Sequence, residues 1–238
     1  LRVIGDPNEY ARKYNVQGID EILFLDTVAS LYGRNALHQL VSDTSQDVFC
    51  PITVGGGIRT VDDAARLFRS GADKIAINTA ATANPRIITE LAEKFGCQAI
   101  VAQIDVKRYI WPVDDGGPGS AYTNMVWCDG GRENTGKCAE DWARQVVELG
   151  AGEILLTSID REGTQTGFST DLIHSIAQNC KVPVIASGGM GSIIDAAAAF
   201  EAGADAIAMA HCLHYDTIPL KKTRDHLLKV GIPIREAA

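Results

Sequence analysis

At a fixed offset of 132 residues this chain lies on itself. Tyr10-Ala11-Arg12 meets Trp142-Ala143-Arg144, Gly18 meets Gly150, and Glu21 meets Glu153. Further on, Gly56-Gly57 falls on Gly188-Gly189, Asp63-Ala64-Ala65 on Asp195-Ala196-Ala197, Phe68 on Phe200, and Gly71-Ala72-Asp73 on Gly203-Ala204-Asp205. Two unrelated amphipathic segments would share scattered apolar positions, but not Gly and Asp in one ungapped register. The repeat therefore describes two copies of one structural unit.

Apolar runs of strand length alternate with helical patterns along both copies. The runs are ILFLD (22–26), PITVG (51–55), KIAIN (74–78), AIVAQID (99–105), EILLTS (153–158), PVIAS (183–187) and AIAMA (206–210). They are rich in Ile, Val, Leu and Ala without polar alternation, as strands buried on both faces are. Helical patterns fall at roughly 8–17, 61–70, 85–95, 138–149, 170–179 and 193–202, two of them followed by Gly71 and Gly203. The spacing predicts an α/β fold, a (β/α)8 TIM barrel in one domain over 1–238, made of half-barrels at about 1–95 and 96–238. The second copy holds four strands starting at AIVAQID, whereas the first holds three starting at ILFLD. Residues 1–7, with the turn signal Gly5-Asp6-Pro7, read as the tail of a loop. The expectation is that the first strand is missing, which would leave two open edges.

A hydrophobic fraction of 46% over 238 residues supports one large core. No apolar stretch approaches the roughly 20 residues of a membrane span, and no signal-peptide pattern opens the sequence. The net charge of −8 argues against a nucleic-acid surface. Six cysteines lie singly with no CxxC pair, and the five histidines show no metal-binding spacing. The expectation is a cytoplasmic protein with reduced thiols, no metal site and no cofactor.

In such barrels the chemistry sits at the C-terminal ends of the strands. The polar residues there are Asp26, Gly55-Gly56-Gly57, Asn78-Thr79, Asp105 with Lys107, Thr157-Ser158, Asp160, Ser187-Gly188-Gly189 and Ala210-His211. Glycines directly after a strand let backbone N–H groups converge on an anion. Duplicated by the repeat, they predict two anion sites across one barrel mouth, suited to a ligand phosphorylated at both ends. Asp105, ending an otherwise apolar strand beside Lys107 and Arg108, is placed as a general acid or base. Glu21, Lys74 and Glu153 stand at strand starts, at the opposite mouth, where they predict a salt-bridged ring. No GxSxG elbow, Walker A loop or dinucleotide fingerprint is present.

The strings ITVGGGIR (52–59), GADKIAINTAA (71–81), QIDVKR (103–108), NTG (134–136), GAGEILLTSIDREGT (150–164) and VIASGGMG (184–191) resemble the HisF family, the cyclase subunit of imidazole glycerol phosphate synthase. The resemblance implies a heterodimer with a glutaminase that releases ammonia, which crosses the barrel to a bis-phosphorylated substrate, the ribulosyl formimino aminoimidazole carboxamide ribonucleotide. The products implied are imidazole glycerol phosphate and aminoimidazole carboxamide ribonucleotide, in histidine biosynthesis. It further implies Asp105 as one of two catalytic aspartates, Gly57, Asn78 and Thr79 at one phosphate, and Gly163, Ser187, Gly188, Gly189 and Ala210 at the other. Asp26, Lys107, Thr157 and His211 join these as substrate-binding candidates. Glu21, Lys74 and Glu153 look like three members of a four-residue ammonia gate, and Asp73 and Gln98 like residues on the glutaminase-facing side.

The sequence departs from the family pattern in several places. The strand that carries the second catalytic aspartate, and the arginine of the gate, are not found, so little cyclase turnover is expected. Glu162 stands where the family's DRDGT motif has Asp, and His211 replaces a usual Ser. The segment Tyr109 to Gly131, with a turn at Gly116-Gly117-Pro118-Gly119, is longer than usual and reads as a lid or partner contact. Three alternatives stand beside the cyclase: a paralogous ammonia-using synthase in surface polysaccharide modification, a related phosphoribosyl isomerase with the same two-phosphate barrel, against which Gln103 to Arg108 and the charged ring speak, and a catalytically impaired scaffold.

Overall fold

The computed structural model describes residues 4–27, 37–110 and 122–235. Its strands are β1 (Ile22–Leu25), β2 (Ile52–Gly55), β3 (Lys74–Ile77), β4 (Ile100–Ile110), β5 (Tyr122–Cys128), β6 (Glu133–Cys138), β7 (Glu153–Ser158), β8 (Val184–Ser187) and β9 (Ala206–Ala208). They form one sheet ordered β1-β2-β3-β4-β7-β8-β9, every neighbouring pair parallel, while β5 and β6 form an antiparallel hairpin on β4. Helices alternate with the parallel strands: α1 (Pro7–Val16), α2 (Leu37–Asp47), α3 (Val61–Arg69), α4 (Thr79–Ala83), α5 (Arg86–Phe95), α6 (Ala139–Glu148), α7 (Thr170–Ala177), α8 (Ile193–Glu201), α9 (His211–His214) and α10 (Leu220–Lys229). This is the α/β TIM-barrel fold.

The expectation of a missing first strand is not borne out, since the described residues carry nine strands rather than seven. The count from sequence recognised only apolar runs buried on both faces. The hairpin instead faces water: β4 continues past Val106 through exposed Lys107 to Ile110, where it pairs with β5. The expected turn at 116–119 lies outside the described residues. Helices α2 and α10 were also unforeseen; α10 is strongly charged and buries only Leu220, Thr223, Arg224 and Leu227.

The repeat holds in detail. Each copy opens its third helix with a capping box, Thr60 with Asp63 on α3 and Ser192 with Asp195 on α8. In each, the aspartate before a strand accepts from the first amide of the preceding strand: Asp73 from Ile52 N and Asp205 from Val184 N, both at 2.8 Å.

Alternation along the strands then sorts side chains between two faces. Ile52, Val54, Ile75, Ile100, Ile104, Ile154 and Leu156 point outward into the layer of helices, where they are buried. The other face carries a smaller apolar cluster of Ala76, Val101 and Leu155, joined by Leu23, Ile185 and Ala208. Two residues earlier on the same face stand Glu21, Lys74 and Glu153. Lys74 Nζ donates to Glu21 Oε2 at 2.8 Å and to Glu153 Oε1 at 2.7 Å, and Thr53 Oγ1 bonds the other Glu21 oxygen. The expected salt-bridged ring is therefore a real contact on the floor of the interior.

Burial pulls the Lys74 ammonium down, but the bonds from Glu153 and Glu21 outweigh it and hold Lys74 above its ordinary range. The stabilisation from this raised lysine is complete below the unfolded value of about 10.4 and is lost as pH rises through the folded one. Replacing Lys74 by Met leaves two carboxylates facing each other across a half-dry floor, with Glu153 Oε2 already buried and without a partner among the described residues. The expected cost is roughly 2 kcal/mol, discounted from fully buried pairs for partial exposure, or a fall of about 4–8 °C in Tm. Adding Glu21→Gln should return part of that loss in a thermal denaturation series.

Candidate functional site

Two residues beyond the apolar layer, the same strand faces turn polar. Asn78, Gln103, Asp105, Thr157 and Ser187 all lie at the C-terminal ends, and the ladder registers Asp105 with Thr157 and Thr157 with Ser187. The interior is thus charged at the floor, apolar in the middle and polar at the mouth.

Asp105 is the centre of the mouth. It is 8% exposed, with Asn78 Nδ2 donating to Oδ2 at 2.9 Å and Gln103 Nε2 to Oδ1 at 3.0 Å. Burial raises its carboxyl above the ordinary range, against the pull of the bonds from Gln103, Asn78 and Thr157. A carboxyl held up by burial and also hydrogen-bonded suits proton transfer in either direction. Asn78 Oδ1 and Trp127 Nε1 are buried nearby without a partner among the described residues, which leaves an acceptor and a donor for a ligand to satisfy.

The first glycine cradle opens beside it. Asp26, Gly56, Gly57, Asn78, Thr79, Gln103 and Asp105 line one cavity of about 570 Å³. Gly56 has φ +99°, and a Cβ there would stand 2.2 Å from the Asp26 carbonyl oxygen. Only glycine permits that turn at that approach. Its repeat mate Gly188 has φ +93° and sits 2.8 Å, by the same measure, from the carbonyl oxygen of Ser158, the counterpart of Asp26. Gly189 follows at φ +106°, tight against the Gly167 carbonyl.

The remaining candidates divide. Ser187 ends β8 beside Ala208 of β9. Gly163 has φ +72° in the open turn after β7, Ala210 precedes α9, and His211 begins it, its Nε2 2.9 Å from Gln165 Nε2. Lys107, two residues beyond Asp105 on β4, is exposed, with its ammonium 5.2 Å from the centre of the Trp127 ring.

Sequence reasoning missed the hairpin's share of the site. Asp129, Gly130 and Glu133, at and after the β5–β6 turn, line the first cavity, and the Asp129 amide donates to Thr79 Oγ1 at 3.1 Å. A signal was available, since Tyr122 to Cys128 is rich in strand formers and is followed by Asp129-Gly130-Gly131.

A parallel α/β barrel with duplicated glycine cradles around one buried aspartate is the class of protein defined here, and the model of the histidine biosynthesis protein family matches residues 1–219. The relatives narrow the class. The chain is 54% identical over 196 residues to the imidazole glycerol phosphate synthase subunit HisF of Legionella pneumophila, covering 81% of this chain and 86% of that one. It is 48% identical over 236 residues to the HisF subunit of Alkaliphilus metalliredigens, covering 99% and 90%, and 46% identical over 246 residues to that of Methanococcus vannielii, with the same coverage. The chain belongs to the HisF family.

Removing the Asn78 amide takes away one bond that favours the ionised form of Asp105 while leaving it buried. In Asn78→Ala the titration of the Asp105 carboxyl, followed by carbon NMR, should move upward. A downward or absent shift would show that Asn78 does not hold this carboxylate.

Proposed function

We propose that this chain is the cyclase subunit of imidazole glycerol phosphate synthase, a lyase acting in histidine biosynthesis. Ammonia attacks the bis-phosphorylated ribulosyl formimino aminoimidazole carboxamide ribonucleotide, and cyclisation with cleavage yields imidazole glycerol phosphate and aminoimidazole carboxamide ribonucleotide. One observation carries the reading: two backbone cradles, related by the 132-residue repeat, flank a single buried aspartate at one mouth of one barrel. A substrate with a phosphate at each end fits that arrangement, and its reacting centre falls over Asp105.

Each residue then has a task. Gly57, Asn78 and Thr79 hold one phosphate, with Asp26 ordering the loop behind them. Gly163, Ser187, Gly188, Gly189, Ala210 and His211 hold the other, and Thr157 and Lys107 contribute from between. Asp105 moves a proton on one face of the forming ring, and the chain's own residues need no cofactor for it.

The relatives are named as subunits, and we infer a glutaminase as the partner of a cytoplasmic heterodimer, docked at the floor. Ammonia would enter past Glu21, Lys74 and Glu153 and rise between side chains as small as Ala76 and Ala208. No helix among the described residues is long and apolar enough to cross a membrane. The two half-barrels, about 1–95 and 96–238, act as one domain, because the substrate spans them.

Supplying an ammonium salt at alkaline pH bypasses the glutaminase. Where the sequence pattern alone predicts little turnover, the two-cradle reading expects the protein then to convert the substrate, followed by absorbance. Asp105→Asn should lower kcat by roughly 10³-fold with KM within a few-fold, since the cradles are untouched. Absent turnover, or turnover indifferent to Asp105, would remove the reading.

A further inference from the structure

Two of the departures from the family pattern, Glu162 and His211, act on the same spot. Glu162 lies in the turn after β7, its amide bonded to the Ser158 carbonyl at 3.0 Å. Its side chain folds back so that Oε2 lies 3.2 Å from the point a Cβ on Gly188 would occupy. Both Asp105 and His211 are near enough to act on its charge. Gln165 bonds Nε2 of the His211 ring, which packs against Tyr215 with 4.6 Å between ring centres.

The repeat allows a comparison among the described residues. The three atoms nearest a Cβ on Gly56 all belong to the Asp26 main chain; those nearest a Cβ on Gly188 are the equivalent carbonyl oxygen of Ser158 and, from Glu162, a carboxylate oxygen and the amide nitrogen. A carboxylate has the charge sign of a phosphate and seeks the same convergent N–H donors.

We propose that Glu162 competes with the substrate's terminal phosphate for the second cradle and is a specificity-determining residue of this protein. Resting on the two-phosphate reading above, it makes the grip at this end weaker than at the first cradle until Glu162 swings away or is neutralised. His211 is the neighbouring ring toward which the displaced carboxylate, or the arriving phosphate, turns. Glu162 is open to solvent by surface area yet ringed by protein at the concave mouth. That crowding raises its carboxyl, Asp105 raises it further, and His211 pulls it back. Falling pH therefore neutralises Glu162 and tightens the second cradle, and rising pH loosens it.

Sulfate tests this without turnover, because it stays doubly charged across the range and any pH dependence belongs to the protein. In ¹⁵N-labelled protein titrated with sodium sulfate, the Gly57 amide reports the first cradle and the Gly189 amide the second. At pH 8, Glu162→Gln should tighten sulfate at Gly189 roughly five- to tenfold and leave Gly57 unchanged, which also certifies the fold. The acid-side tightening at Gly189 should vanish in Glu162→Gln and survive in His211→Gln. Should Glu162→Gln not fold, Glu162→Asp, whose carboxylate is one methylene short of Gly188, should show the same change to a smaller degree. Unchanged or weakened sulfate binding at Gly189 overturns the proposal. A wild-type protein that never turns over the substrate would sink the functional reading and leave this comparison intact.

Discussion

The two-residue alternation of a parallel strand ladder is the constraint on which everything else here depends. Because successive side chains face opposite ways, one register decides at once what packs under the helices and what lines the axis. Moving any strand by one position would turn Ile75 and Ile77 inward and put Lys74 under a helix. The register is held from outside the strands, by Asp73 and Asp205 receiving the first amides of their neighbours and by capping boxes that fix where α3 and α8 begin. The order of charge, apolar layer and polar mouth along the axis follows from that alone.

Much of this was legible in the residues. Six of the seven parallel strands fall within one or two positions of the apolar runs, and β4 starts within one of its run but extends five beyond it, since strands buried on both faces leave an unmixed hydrophobic signature. The cradles were legible because the repeat printed them twice: a lone Gly-Gly pair after a strand says little, whereas Gly56-Gly57 and Gly188-Gly189 in one register say that the turn itself is required. The floor ring was visible as three charges at matching strand starts, although only geometry joins Lys74 to both glutamates.

What escaped is equally physical. The hairpin of β5 and β6 has mixed polarity because it is open to water, so it left no apolar run to count. Helix α10 hides for a related reason: a helix lying on a surface needs few apolar positions. It does bury Arg224, whose guanidinium bonds Gly18 O and Asp20 Oδ2 at 2.6 Å each, about two hundred positions away in sequence. No pattern within a window can announce such a partner. The environment of Asp105 was likewise hidden, since its donors come from strand β4 itself, from the end of β3 and from β7.

The bond from the Asp129 amide to the Thr79 hydroxyl ties the hairpin turn to the first cradle. A hydroxyl that accepts one bond still has its own hydrogen to give, so the turn fixes the oxygen while aiming the proton elsewhere. The hairpin is thereby more than an appendage at the rim. It acts as a pointing device, and a shift of its tip re-aims a donor at the barrel mouth.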